Sequence, residues 1–121
     1  MDSKIERVVE GLVEAAEEKK CESVLVYDIS EPWITECVMV VEVKNIIHCR
    51  SMLESFSEAV PRLVGNDSVD FFSRAKVAGD VDSGWVILDL NSVMIHCIVK
   101  SLRDYYQLDA LFEKKGLVYH F

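Results

Sequence analysis

Near the start of the chain, Ile5, Val8, Val9, Leu12, Val13 and Ala16 return every three or four residues, the spacing that lays an apolar stripe along one side of a helix. Ser3-Lys4-Ile5-Glu6 has the form of a capping box, in which a hydroxyl and a carboxylate satisfy each other's free backbone N–H groups. Glu10, Glu14, Glu17 and Glu18 fall on the polar side, and Lys19 and Lys20 close the last turn, where the helix dipole favours cations. The period then changes. SVLVYDI (23–29) and CVMVVEV (37–43) are short β-branched runs that read as strands, and the Pro-containing segment between them carries Trp33. A 3.6 period returns in Ile46, Cys49, Met52, Leu53, Phe56, Val60 and Leu63, with Asn45 as N-cap and Gly65-Asn66 as the stop, while Pro61 leaves the last turn open.

In the second half, SVDFFSRAKVAGDVDSG (68–84) predicts buried structure around Phe71 and Phe72, a short strand ending near Val77, and a turn-rich link. Residues 85–90 and 93–99 are β-rich runs joined by Asn91-Ser92, and Asn tolerates the positive φ of a tight hairpin turn. The nearly continuous apolarity of 93–99 predicts an inner strand covered on both faces. KSLRDYYQLDALF (100–112) predicts a C-terminal helix. The order helix, strands, helix, strands, helix predicts one α/β domain over residues 1–121, a mixed sheet of about five strands flanked by helices.

Composition agrees with a folded chain. Hydrophobic residues make up 50% and charged residues 28%, with 5 glycines and 2 prolines, so disorder is not expected. No apolar run approaches the ~20 residues of a membrane span, and the N-terminus lacks a signal-type apolar core, which predicts a soluble, cytosolic protein. Cys21, Cys37, Cys49 and Cys97 form no CxxC pair and read as packed thiols. The net charge of −8, with no basic cluster, argues against direct binding to nucleic acid and favours a basic protein partner.

Little here has the pattern of a reaction centre. Asp89 and His96, with Cys97 or Cys49 as nucleophile, would be a catalytic reading, but strand neighbours face opposite sides, so His96 and Cys97 cannot share a pocket. His48-Cys49 and His96-Cys97 are adjacent pairs without the spacing that lets both members reach one zinc ion, and His120 reads as exposed. The 5 glycines are scattered, so no loop cradles a phosphate. No cofactor is expected. Trp85, Tyr105, Tyr106 and Phe112 remain, as core residues or as interface anchors, and composition leaves both readings open.

At the hairpin a family resemblance emerges. GWVILDLNSVMIHCIV (84–99) followed by RDYYQLDALF (103–112) resembles the ribosomal silencing factor (Iojap-like) family, with its Gly-Trp and Asp ahead of the turn, a His in the second strand, and an Arg-x-aromatic-Tyr-x-Leu-acid-x-Leu segment. This chain departs at Glu36-Cys37, at the helix start KNII, at Asn91-Ser92 in the turn, and at Phe112 where the family has Trp. The resemblance implies a nucleotidyltransferase-like fold without catalytic residues and no enzymatic activity. It also implies docking onto the fourteenth large-subunit ribosomal protein, where the protein blocks joining of the subunits. The residues it singles out are Trp85, Val86, Asp89, His96, Arg103, Tyr106, Leu108, Asp109 and Phe112. Trp85 and Val86 would anchor the partner from an exposed hairpin, so that Trp85→Ala weakens binding without changing the melting point. Asp89 and Asp109 would meet basic groups or cap turns, His96 would be a core residue, and Arg103 would pair with Asp89 or Asp109. A degenerate nucleotidyltransferase and a homodimeric module with another partner are the alternatives.

Overall fold

The computed structural model describes residues 1–30, 33–65 and 72–119. Among the described residues six strands form one sheet in the order β3-β4-β5-β2-β1-β6, against the five or so that the sequence suggests. They are β1 (Ser23–Ile29), β2 (Cys37–Val43), β3 (Phe72–Asp80), β4 (Trp85–Asn91), β5 (Val93–Val99) and β6 (Gly116–Val118). β2 and β5 pair in parallel and the other neighbours are antiparallel. The mixed α/β class is therefore as expected.

Two helices, α1 (Ser3–Glu18) and α2 (Ile46–Val64), cover one face of the sheet and bury the larger core, from Ile5, Val8 and Leu12 through Met39 and Val41 to Leu88 and Ile95. The cap of α1 differs from the capping-box reading. Asp2 is the N-cap, its carboxylate accepting from the Lys4 N–H at 2.8 Å, and Ser3 is already the first helical residue. Asn45 caps α2 as expected, accepting from the His48 N–H at 2.8 Å, and the helix runs through Pro61 to a stop at Gly65, whose φ is 57°. His48 ties the two helices together: its Nδ1 accepts from the Lys44 N–H at 3.0 Å, leaving Nε2 to donate to the Lys19 carbonyl at 2.7 Å.

The opposite face carries a second, smaller cluster built on Tyr27, Val38, Val40 and Ile98, covered by α3 (Lys100–Tyr105) and α4 (Leu108–Glu113). β5, third in the six-strand order, is thus covered on both faces over most of its length, as its apolarity requires. One continuous helix over 100–112 does not form. Gln107 adopts φ 48° and ψ 50°, which breaks it in two. In an unbroken helix positions six apart point to different sides; the break lets Arg103 and Asp109 meet in a two-bond pair.

β3 extends beyond Val77 to Asp80, where a turn-rich link was expected. Gly79 makes this possible, since its φ is 86° and a Cβ there would lie 2.7 Å from the Trp85 carbonyl oxygen. The link itself shrinks to a single 3-10 turn, Val81–Ser83, capped by Asp80. Asn91 takes the expected positive φ, 74°, in the β4–β5 turn. Phe71, Asn66 and His120, which the sequence reading invoked, lie outside the described residues.

Candidate docking surface

Alternation along β4 sorts the hairpin into two sets. Val86, Leu88 and Leu90 are fully buried toward α1 and α2, while Trp85, Ile87 and Asp89 are only partly buried, on the face of α3 and α4. Val86 is therefore not an exposed anchor. It is the immediate neighbour of Trp85, and the period of two sends it into the helix-covered core. On β5 the same rule parts His96 from Cys97, which packs with Cys49 in that core.

Trp85 is half-buried, and its surroundings explain why. Its indole Nε1–H donates to His96 Nδ1 at 3.0 Å, and its ring packs against Tyr106 with centroids 5.5 Å apart. His96 is 5% exposed and also meets Phe112, at 5.2 Å between ring centroids. Burial pushes its pKa down to about 4, so the ring is neutral near pH 7.

Arg103 and Asp109 form the polar clamp under this aromatic cluster. Arg103 Nε and Nη2 donate to the two Asp109 carboxylate oxygens at 2.6 and 2.7 Å, while Nη1 donates to Ser23 Oγ at 2.6 Å and Glu42 Oε1 at 3.3 Å. The Tyr27 hydroxyl donates to Asp109 as well, at 2.6 Å. The guanidinium holds the Asp109 carboxyl below its ordinary range, and burial together with the Asp109 carboxylate raises the Tyr27 phenol. Of the two partners the sequence allowed, Arg103 takes Asp109. Both groups are used in pinning α4 to β1 and β2, so Asp109 offers no free carboxylate to a basic partner. Asp89 accepts from the Asn91 N–H at 2.8 Å, capping the turn, and stays half-exposed with Lys76 across the strand pair.

Between these elements lies an apolar groove of about 350 Å³ whose floor is Trp85, Ile87, Met94 and His96 and whose walls are Trp33, Ile34, Leu108, Leu111 and Phe112, with Asp89 at its edge. A second hollow of about 420 Å³ continues past Trp85 and Ile87 to Leu102 and Tyr106. It shares Ser83 and Leu102 with an open cleft of about 730 Å³ beside Ile46 and Ile47. The last is the largest but the most open. The first holds the aromatic cluster and is lined almost wholly by apolar side chains, and it is the better candidate site on those grounds. Exposed apolar side chains follow this face: Ile34, Tyr105, Tyr106 and Leu111 are 66%, 78%, 57% and 47% exposed. Exposed apolar side chains gathered beside a groove make a candidate interaction surface.

Of the residues singled out from sequence, Trp85, Asp89, His96, Leu108 and Phe112 meet at the first groove and Tyr106 at the second, while Arg103 and Asp109 support from beneath. Ile34, Ile87, Met94 and Leu111 were missed. Ile87 was accessible by alternation, two places after Trp85; Ile34 and Leu111 needed the tertiary fold.

The groove's lining contains no cysteine. Cys97 and Cys49 have raised thiol pKa values and Cys37 is pushed up to about 12, each through burial, so none is a ready nucleophile. Among the described residues no three His, Cys, Asp or Glu side chains gather as metal ligands, and no helix is long and apolar enough to cross a membrane.

Residues 2–119 match the family model described as "Ribosomal silencing factor during starvation". Among solved structures, a protein of Chromobacterium violaceum is similar over 100% of this chain and 92% of its own, at 21% identity and a TM-score of 0.72. One from Bacillus halodurans is similar over 96% of this chain and 99% of its own, at 16% identity and a TM-score of 0.71. At these identities the two share the fold. No curated protein matches the chain.

Proposed function

Because this chain belongs to the ribosomal silencing factor family, we propose that it docks on the large ribosomal subunit through the fourteenth large-subunit protein and sterically blocks joining of the small subunit. The observation that supports this reading is the apolar groove around Trp85, where the aromatic cluster of Trp85, His96 and Phe112 is open to solvent along Ile34 and Leu111. An aromatic-rich groove on a sheet suits protein docking, where a few aromatic anchors carry most of the affinity. The net charge of −8 complements a basic ribosomal protein and disfavours bare RNA, so protein contact leads. Family membership supports a regulatory rather than a catalytic role.

Contact with the partner falls to Trp85, Tyr106, Leu111 and Ile34, with Asp89 at the rim. His96, Leu108 and Phe112 shape the groove, and Arg103 and Asp109 hold its wall. Trp85→Ala is a poor probe for this purpose. Its hydrogen bond to His96 and its packing on Tyr106 mean that it lowers the melting point as well as binding.

Sedimentation through a sucrose gradient with separated subunits tests the reading. The protein should travel with free large subunits and reduce re-formation of joined ribosomes when small subunits are added. Leu111→Asp, an exposed change, should abolish both effects while melting within a few degrees of the parent. Failure of the parent to travel with large subunits would leave a protein-interaction module with another partner.

A further inference from the structure

We propose that His96 supplies the polar contact inside the first groove: its Nε2–H donates to a backbone carbonyl oxygen of the docked protein, beside an apolar side chain of that protein that fills the groove. This inference rests on the docking reading above and specifies what enters the site.

The tautomer follows from one hydrogen bond. An indole N–H is a donor only, and Trp85 Nε1–H points at His96 Nδ1 from 3.0 Å, so Nδ1 must be the bare, accepting nitrogen. The neutral ring then carries its proton on Nε2. That N–H is buried and has no hydrogen-bond partner among the described residues. A buried donor left unmet is costly, and native proteins keep few of them. This one belongs to a side chain that is 95% buried, by the 5% exposure of His96, and that forms part of the floor of an open apolar groove.

The chemistry of the occupant follows by complementarity. The lining is aliphatic or aromatic except for His96 and Asp89. What is missing inside is an acceptor. A lysine or arginine head group brings only donors, so it would lose its hydration without meeting Nε2–H. The partner's cations therefore belong at the rim with Asp89, the carboxylate that the internal Arg103–Asp109 pair leaves available. A main-chain carbonyl beside an apolar side chain meets both demands, within a space of about 350 Å³. Reaching Nε2 requires a wall to give. Met94, unbranched and partly exposed, and Leu111, nearly half exposed, are the adaptable ones.

The test compares the full-length parent with His96→Phe and His96→Gln, using the purified fourteenth large-subunit protein as the probe in calorimetry. Glutamine retains one acceptor for Trp85 and one donor for the partner; phenylalanine retains neither. His96→Phe should bind about tenfold more weakly and His96→Gln should recover most of that loss. In the ¹⁵N-histidine spectrum of the parent, Nε2 should show as the protonated nitrogen, and its proton should move downfield in the complex. Equal binding by His96→Phe, or an Nε2–H signal unmoved in a complex that does form, would overturn this inference and leave the docking reading intact. No binding by the parent, to the purified protein or to large subunits, would overturn both.

Discussion

His96 shows how much one buried side chain can govern. It is a neutral imidazole because burial drives its pKa to about 4, against 6.5 for the free side chain. A base whose pKa is lower in the folded state leaves the unfolded chain binding the proton first. Stability is therefore full above about pH 6.5, falls as the pH drops toward 4, and levels off below that. Between pH 7 and pH 5 the loss should be about 2 kcal/mol in urea unfolding, and His96→Phe should remove this component of the pH dependence. An unchanged slope in that variant would place the titration elsewhere. Arg103 makes the complementary point. At 9% exposure it is tolerated because Asp109 neutralises it through two bonds and Ser23 and Glu42 take the rest. Asp109→Asn leaves the buried guanidinium with only its longer, single-bond ion pair to Glu42 and should cost about 3 kcal/mol of stability by chemical denaturation. Tyr27→Phe, which removes one of the hydrogen bonds to that carboxylate, should cost about 1 kcal/mol.

At the scale of elements, the long periodic segments were legible and the short ones were not. α1 and α2 declare themselves through six or seven apolar positions at helical spacing, and the β4–β5 hairpin through two β-rich runs around an Asn that accepts φ 74°. β6 has three residues, too few for any period, and two of them, Leu117 and Val118, are exposed. Its one local signal is Gly116: a Cβ there would fall on the Asp28 carbonyl oxygen, so the strand can pair with β1 only because that side chain is absent. Gly116→Ala should cost about 2 kcal/mol. It should also speed hydrogen exchange at the Tyr119 amide, which donates to the Val26 carbonyl at 2.8 Å, well before the core strands exchange. The break at Gln107 was hidden for another reason. The 100–112 pattern reads as one helix, and only the pull of Asp109 toward Arg103, Tyr27 and the sheet makes two short helices with a left-handed residue between them the better solution.

At the scale of the molecule, the chain combines acidity with an apolar groove. On the docking reading proposed above, a net charge of −8 would draw a basic partner from a distance and the apolar groove would hold it, so raising salt should slow association more than it speeds release. The candidate groove was half legible in the sequence. The motif residues named Trp85, His96 and Phe112, but not that Val86 turns inward, nor that Ile34 and Leu111 come from distant segments to form the walls. Both tryptophans of the chain, Trp33 and Trp85, line the same groove, which makes them reporters of its occupancy. With 5-fluorotryptophan in both places, ¹⁹F spectra taken while the purified fourteenth large-subunit ribosomal protein is added read the groove directly. Both resonances are expected to shift as the complex forms. A complex seen by gel filtration with both resonances unmoved would place the docking face elsewhere.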